Sequence, residues 1–101
     1  MDYLKKYNLT DEQINNIRNV ILERNIDIDI FEYNEEEIMS MLDLFTSIGV
    51  TNIYGIMIEN PDLFRDTYSS IERRINAYPD KSELARLLNE NAENLKLIGM
   101  L

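Results

Sequence analysis

Apolar residues recur every three or four positions along most of this chain, the spacing that places them on one face of an α-helix. The first such face consists of Ile14, Ile17, Val20 and Ile21. Thr10 and Gln13 stand directly before it with the spacing of a capping box, in which each side chain bonds the other residue's backbone N–H. We therefore predict a helix from about Asp11 to Arg24, and a short turn over residues 2–7 before it.

The clearest amphipathic pattern predicts a second helix over residues 35–48. Its apolar positions are Ile38, Met41, Leu42, Phe45 and Ile48. Asn34 and Glu37 have capping-box spacing, and three consecutive glutamates stand where the helix dipole favours negative charge. Gly49 is expected to end this helix in the left-handed conformation.

Three further helices are predicted in the second half of the chain. Thr51 or Asn52 is expected to cap a short helix, with apolar positions Ile53, Ile56 and Met57. Pro61 suits the first position of the next helix and Pro79 must end it; its apolar face is Leu63, Phe64, Tyr68, Ile71 and Ile75. Asp80 and Glu83 are expected to cap the final helix. Its apolar face is Leu84, Leu87, Leu88, Leu95 and Ile98.

Residues 25–33 follow a different pattern, because Ile26, Ile28 and Ile30 alternate with aspartates. Alternation is typical of a strand, but no second strand is predicted, and a lone strand is not stable. We favour an extended linker that places the isoleucines beneath the helices. A short edge pairing is the alternative.

The length and composition support one globular domain. A chain of 101 residues suits a single domain over residues 1–101, and 45% hydrophobic with 29% charged residues is typical of a globular protein. The helical spacing and the short connections predict an all-α fold. We expect a compact helical bundle, or a short helix–turn–helix repeat stack, of five to six helices.

The missing residue types argue against an enzyme. Without Cys and His the chain has no thiolate nucleophile, no zinc–thiolate site and no imidazole base. Three glycines are too few for a phosphate-cradling loop, and the six tyrosines are interpreted as packing at the edge of the core. We expect no catalytic residue, no metal site and no cofactor.

One short pattern recurs along the chain. Residues 4–10, 45–51 and 95–101 each have apolar residues before Asn8, Gly49 or Gly99, and one apolar residue directly after it. Asn and Gly are the residues that tolerate the left-handed conformation at a helix end. The pattern therefore predicts helices that stop and turn, although the unequal spacing of the copies is not a regular solenoid period.

The second copy and the residues after it resemble a known family. Leu44-Phe45-Thr46-Ser47-Ile48-Gly49-Val50-Thr51-Asn52-Ile53, followed by Glu59-Asn60-Pro61-Asp62-Leu63-Phe64, looks like the mitochondrial transcription termination factor (mTERF) repeat. That repeat has a helix, a Gly-apolar turn, a second helix and then Pro-x-Leu-apolar. The resemblance covers residues 44–64, and it implies stacked helical triplets that bind nucleic acid along a basic concave face.

The negative charge is concentrated in the middle of the chain. Of 19 acidic residues, nine lie in residues 25–64, which contain no Lys or Arg, whereas the flanks hold ten acids and all ten bases. Such a segment repels phosphate, so direct nucleic-acid binding is not expected from it. The bases of the last two helices are interleaved with acids and form at best a modest patch. They are Arg65, Arg73, Arg74, Lys81 and Arg86.

We interpret the acidic segment as a surface that binds a basic protein partner by complementary charge. The candidate residues are Asp27, Asp29, Glu32, Glu35, Glu36, Glu37 and Asp43. One alternative is a nucleic-acid-associated mTERF-like domain, and another is a phage or mobile-element inhibitor that mimics nucleic acid. The acids are also explained if they cap a helix and solubilise the domain. Carboxylates at residues 27–32 suit a hard cation, but the EF-hand glycine turn is missing.

Two expectations concern the cellular location of the protein and its self-association. The N-terminus lacks the apolar run of a signal peptide, and no apolar stretch is long enough to span a membrane, so we expect a cytoplasmic protein. The apolar end, residues 98–101, suggests that copies of the chain stack on one another as uncapped repeats.

Overall fold

The computed structural model describes residues 1–100, in which helices joined by short turns pack into a bundle measuring 34 × 24 × 22 Å. This confirms the all-α prediction. The α-helices are α1 (Asp11–Glu23), α2 (Asp29–Tyr33), α3 (Glu35–Ser47), α4 (Ile53–Glu59), α5 (Tyr68–Ala77) and α6 (Lys81–Glu90). The 3₁₀ helices are N-terminal (Asp2–Tyr7), middle (Pro61–Arg65) and C-terminal (Ala92–Ile98).

Helix α1 forms as the sequence predicts. The Thr10 hydroxyl accepts the Gln13 N–H, and the Gln13 side chain accepts the Thr10 N–H, which completes the capping box. Ile14, Ile17 and Ile21 are buried on one face of the helix. The predicted turn before α1 is a 3₁₀ helix whose Leu4 is completely buried.

The prediction of an extended linker over residues 25–33 is wrong, because Asp29–Tyr33 forms helix α2. The Asp27 carboxylate accepts the Asp29 backbone N–H at 3.0 Å, and this bond starts the turn. Helical spacing then buries Phe31 completely and leaves Ile28 and Ile30 half-buried. The alternation of isoleucine and aspartate therefore comes from a local cap rather than from a strand. Of the predicted buried isoleucines, Ile26 is buried outside the helix.

Helix α3 has the predicted extent but not the predicted cap. The Asn34 side chain accepts no bond from α3; it donates instead to the Ile30 carbonyl at 3.1 Å and so closes the end of α2. Asn34 is the single residue between α2 and α3, and its side chain bonds the end of α2 rather than the start of α3. The buried face of α3 is Ile38, Met41, Leu42 and Phe45.

The recurring Asn/Gly pattern marks left-handed turns, as predicted. Asn8, Gly49 and Gly99 have φ of 64°, 108° and 71°. The apolar residue after each turn is buried; these residues are Leu9, Val50 and Met100. At Gly49 the backbone makes both bonds of a Schellman motif, Gly49 N–H to Thr46 O and Val50 N–H to Phe45 O. A fourth turn of this kind, which the sequence pattern missed, lies at Asn25 (φ 57°) with Ile26 buried after it.

Two predicted helices are each divided in two. The helix expected from Pro61 through Ile75 is interrupted at Asp66 and Thr67, because the Thr67 hydroxyl accepts the Ser70 N–H and caps a new helix, α5. The break turns Tyr68 out of the predicted apolar face, and 38% of it is exposed.

The final predicted helix is divided at Asn91, although Asp80 caps its start as expected. The Asn91 side chain accepts the Glu93 N–H and begins the C-terminal 3₁₀ helix. Ile98 and Met100 are buried in the core of the chain itself. The apolar end on which the stacking hypothesis depends is therefore not free at these residues, and Leu101 lies outside the described residues.

Helix α4 lies between α1 and the C-terminal 3₁₀ helix, and α3 packs against α5. The rings of Phe31 and Phe64 meet edge to face with centroids 6.2 Å apart, which joins α2 to the middle 3₁₀ helix. Asn89 of α6 holds the turn at Gly49. Its side-chain oxygen accepts the N–H groups of Thr51 (2.8 Å) and Asn52 (3.2 Å), and its nitrogen donates to the Gly49 carbonyl (3.1 Å).

Candidate partner-binding surface

Glu35, Glu36 and Glu37 form the first turn of α3 and are all exposed. Among residues 1–100, none of the three has a cationic group within 4.0 Å. The N-terminal end of the helix dipole favours this placement, because the unpaired N–H groups of the first turn carry partial positive charge. Three carboxylates therefore stand free in water on one helical turn.

Glu32, also predicted as a partner-binding residue, is engaged within the chain. Its carboxylate lies 3.1 Å from the Met1 amino group and 3.4 Å from the Arg18 guanidinium. The hydrogen bond from the Met1 amine, aided by Arg18, lowers the pKa of Glu32 below its ordinary value. Glu32 thus attaches the N-terminus and α1 to α2 and is not free for a partner.

Asp43 is likewise engaged. The Tyr7 hydroxyl donates to its carboxylate at 2.8 Å, and the Lys6 ammonium lies 3.7 Å away. The same hydroxyl lies 3.0 Å from the Met39 carbonyl, so its single proton serves one acceptor at a time. Burial and the neighbouring Asp43 both raise the pKa of Tyr7. Asp43 therefore fixes the N-terminal 3₁₀ helix on α3.

The two aspartates of the predicted set differ in their contacts. Asp27 is exposed, but its carboxylate is bound to the Asp29 N–H. Asp29 is exposed at the first turn of α2 and makes no ion pair among the described residues. Of the seven predicted residues, the structure thus leaves Asp29 and the Glu35–Glu37 turn free, and we call these four residues the acidic face.

Two tyrosines beside these acids were missed as surface residues. Tyr33 is 80% exposed and lines a shallow depression with Asn34 and Glu35–Glu37. Tyr68 lines a second depression with Glu37, Ser40 and Asp43. The sequence held one signal for Tyr33, since it lies within the polar run of residues 32–37 and outside every apolar face.

The basic residues of the last helices are largely neutralised. Arg65 pairs with Asp62 at 3.2 Å, and Arg74 lies 3.9 Å from Asp66 while it donates to the Gly99 carbonyl at 2.8 Å. Arg86 pairs with both Glu83 and Glu90. Of the five predicted basic residues, only Arg73 and Lys81 make no ion pair within residues 1–100. A continuous cationic surface is therefore not present on these helices.

The chain matches no family model, no curated protein and no solved structure. Residues 44–64 have the order of a helix, a Gly-Val turn, a second helix and a Pro-initiated 3₁₀ helix.

Within residues 1–100 there is no group of three or more acidic side chains close enough to hold a metal ion. No helix in this part of the chain is long and apolar enough to cross a membrane.

Proposed function

We propose that this chain is a non-enzymatic interaction domain that binds a basic protein partner through the acidic face. The observation that carries the proposal is that three consecutive exposed glutamates, Glu35, Glu36 and Glu37, share one helical turn with no cationic group within 4.0 Å among the described residues. The segment that contains this turn, residues 25–64, has no Lys or Arg. The lysines and arginines that reach this segment from the flanks contact Glu32, Asp43, Asp62 and the Glu59 carbonyl.

Concentrated negative charge favours a protein partner over nucleic acid. A surface of this sign repels phosphate and attracts Lys and Arg, which speeds the encounter with a basic surface and selects against acidic ones. The interaction weakens as salt rises, because exposed charges are screened beyond about 8 Å at physiological ionic strength.

The test compares two triple variants of equal charge. In the first, Glu35, Glu36 and Glu37 are changed to Lys; in the control, Glu12, Glu23 and Glu93, which are exposed and unpaired elsewhere, are changed to Lys. Binding to immobilised hexalysine is measured at about 0.15 M salt, where exposed charges more than about 8 Å apart are largely screened. We expect the first variant to lose binding and the control to keep most of it. Equal losses in the two variants would contradict the proposal, because net charge alone would then explain binding.

A second candidate is a nucleic-acid-associated helical-repeat domain of the mTERF-like kind. The helix–turn–helix order of residues 44–64 favours it, whereas the pairing of Arg65, Arg74 and Arg86 with nearby acids opposes it. Retardation of duplex DNA or RNA by the intact chain at low salt would support this candidate and displace the basic-protein proposal.

A further inference from the structure

Three depressions adjoin one another along the exposed side of α3, and all three share Glu37. The first, of about 550 Å³, contains Tyr33, and the second, of about 390 Å³, contains Tyr68 and Ser40. The third, of about 330 Å³, is lined by half-buried Ile30 and by polar residues that include Asn34 and Asp66. We call these three depressions together the α3 groove. The only two exposed aromatic rings among residues 1–100 lie in it.

We propose that the α3 groove binds an arginine-bearing segment of a partner protein; this rests on the proposed function and specifies its partner. A guanidinium group is planar and weakly hydrated, so it pairs with a carboxylate and stacks on an aromatic ring at the same time. The groove offers both groups together, since Glu37 lies in the same depression as Tyr33 and in the same depression as Tyr68. An ammonium group is a compact, strongly hydrated charge and gains less from the rings.

The third depression of the groove also suits arginine. Half-buried Ile30 lines this depression, and an arginine side chain can lay its aliphatic stem on such a residue while its head reaches a carboxylate. Among the described residues, Arg65 is the one cation that lines any of the three depressions, and it pairs with Asp62. Charge complementarity therefore points to a cationic segment from another protein.

The test measures the affinity of hexa-arginine and of hexalysine, each fluorescently labelled, by anisotropy at about 0.15 M salt. We expect hexa-arginine to bind at least about threefold more tightly. Tyr33→Leu and Tyr68→Leu should each weaken hexa-arginine binding about two- to fivefold, as expected for a lost cation–π contact, and weaken hexalysine binding by a smaller factor. Tyr78→Leu, which removes a half-buried ring outside the groove, is the matched control.

Glu37→Gln should weaken the binding of both peptides. Glu12→Gln, the same change on α1, should reduce the affinity for neither peptide by more than a small factor. Circular dichroism of each variant verifies that it is folded. Equal affinity for the two peptides, with no effect of the tyrosine changes, overturns the arginine proposal while leaving the proposed function intact. Absence of binding by either peptide, or equal effects of Glu37→Gln and Glu12→Gln, overturns both.

Discussion

Replacement of Asn89 by Ala should destabilise the domain at a site with no core contact. The side chain makes three hydrogen bonds that hold the backbone of the turn at Gly49, Thr51 and Asn52 against the end of α6. The residue itself is exposed, so the change removes no buried apolar surface and leaves no cavity. After allowance for the helix propensity of alanine, the loss of stability should therefore measure the three bonds.

The magnitude follows from the exposure of the site. A hydrogen bond contributes about 0.5–1.5 kcal/mol net, and the lower end applies here because water can replace the lost partner. Three bonds then contribute about 1.5–2 kcal/mol. Alanine has a higher helix propensity than asparagine and returns about 0.5 kcal/mol, because Asn89 lies within α6. The expected net loss is about 1–1.5 kcal/mol.

Urea unfolding followed by circular dichroism provides the measurement. Asn19→Ala is the control, since Asn19 is exposed on α1, its side chain makes no hydrogen bond within residues 1–100, and it gains the same propensity. The two midpoints should differ by about 1–2 M for a domain of this size. Coincident unfolding curves for Asn89→Ala and Asn19→Ala would refute the idea that the side chain stabilises the turn.

Two further predictions concern α2. Phe31→Ala should cost about 3–5 kcal/mol, because Phe31 is completely buried against Phe64, and Phe31→Leu should cost less; a loss below about 1 kcal/mol in thermal unfolding would show that α2 is not part of the core. Glu32→Gln should lower stability at neutral pH, since the folded-state pKa of Glu32 is depressed; its stabilisation is complete above the unfolded-state pKa and is lost as the pH falls through the folded-state pKa. The gap between wild type and Glu32→Gln should close as pH falls below about 4, and a gap that is independent of pH would contradict the ion pair with the Met1 amine.

The helices with strong periodicity were predictable, because their caps are local and their faces are wide. Helices α1 and α3 have the predicted extents within a residue or so. The left-handed turns at Asn8, Gly49 and Gly99 were also predictable, since glycine adopts that conformation freely and asparagine tolerates it better than most residues. The turn at Asn25 was not predicted, because the alternation of isoleucine and aspartate after it is typical of a strand.

The later helices are interrupted where a side chain competes with the backbone for an N–H group, and the spacing of apolar residues does not show this competition. At Thr67 and Asn91 a side chain takes over a backbone N–H and restarts a helix, while the apolar spacing continues through the break. Periodicity alone therefore joins Pro61 to Ile75 and Asp80 to Ile98.

The sequence predicted the negative charge of the candidate surface, but not which of its acids are free of partners within the chain. Exposure of Glu35–Glu37 follows from the apolar spacing of α3. The engagement of Glu32 by Met1 and of Asp43 by Tyr7 joins residues more than thirty positions apart, as the 31- and 36-residue separations show. Such pairs depend on tertiary packing, so no local pattern distinguishes them from free acids.

The tyrosines of the N-terminal 3₁₀ helix provide an optical reporter of that segment. The Tyr3 hydroxyl donates to the Phe31 carbonyl at 2.7 Å, the Tyr7 hydroxyl bonds α3, and burial raises the pKa of both phenols. Since the chain has no tryptophan, tyrosine dominates its near-ultraviolet absorbance. In alkaline solution these two phenols resist ionisation while the N-terminal helix is docked, and the stability they contribute is lost as the pH rises above the unfolded-state pKa of about 10. Stopped-flow absorbance after a jump to high pH therefore times the detachment of the N-terminal helix without an added label.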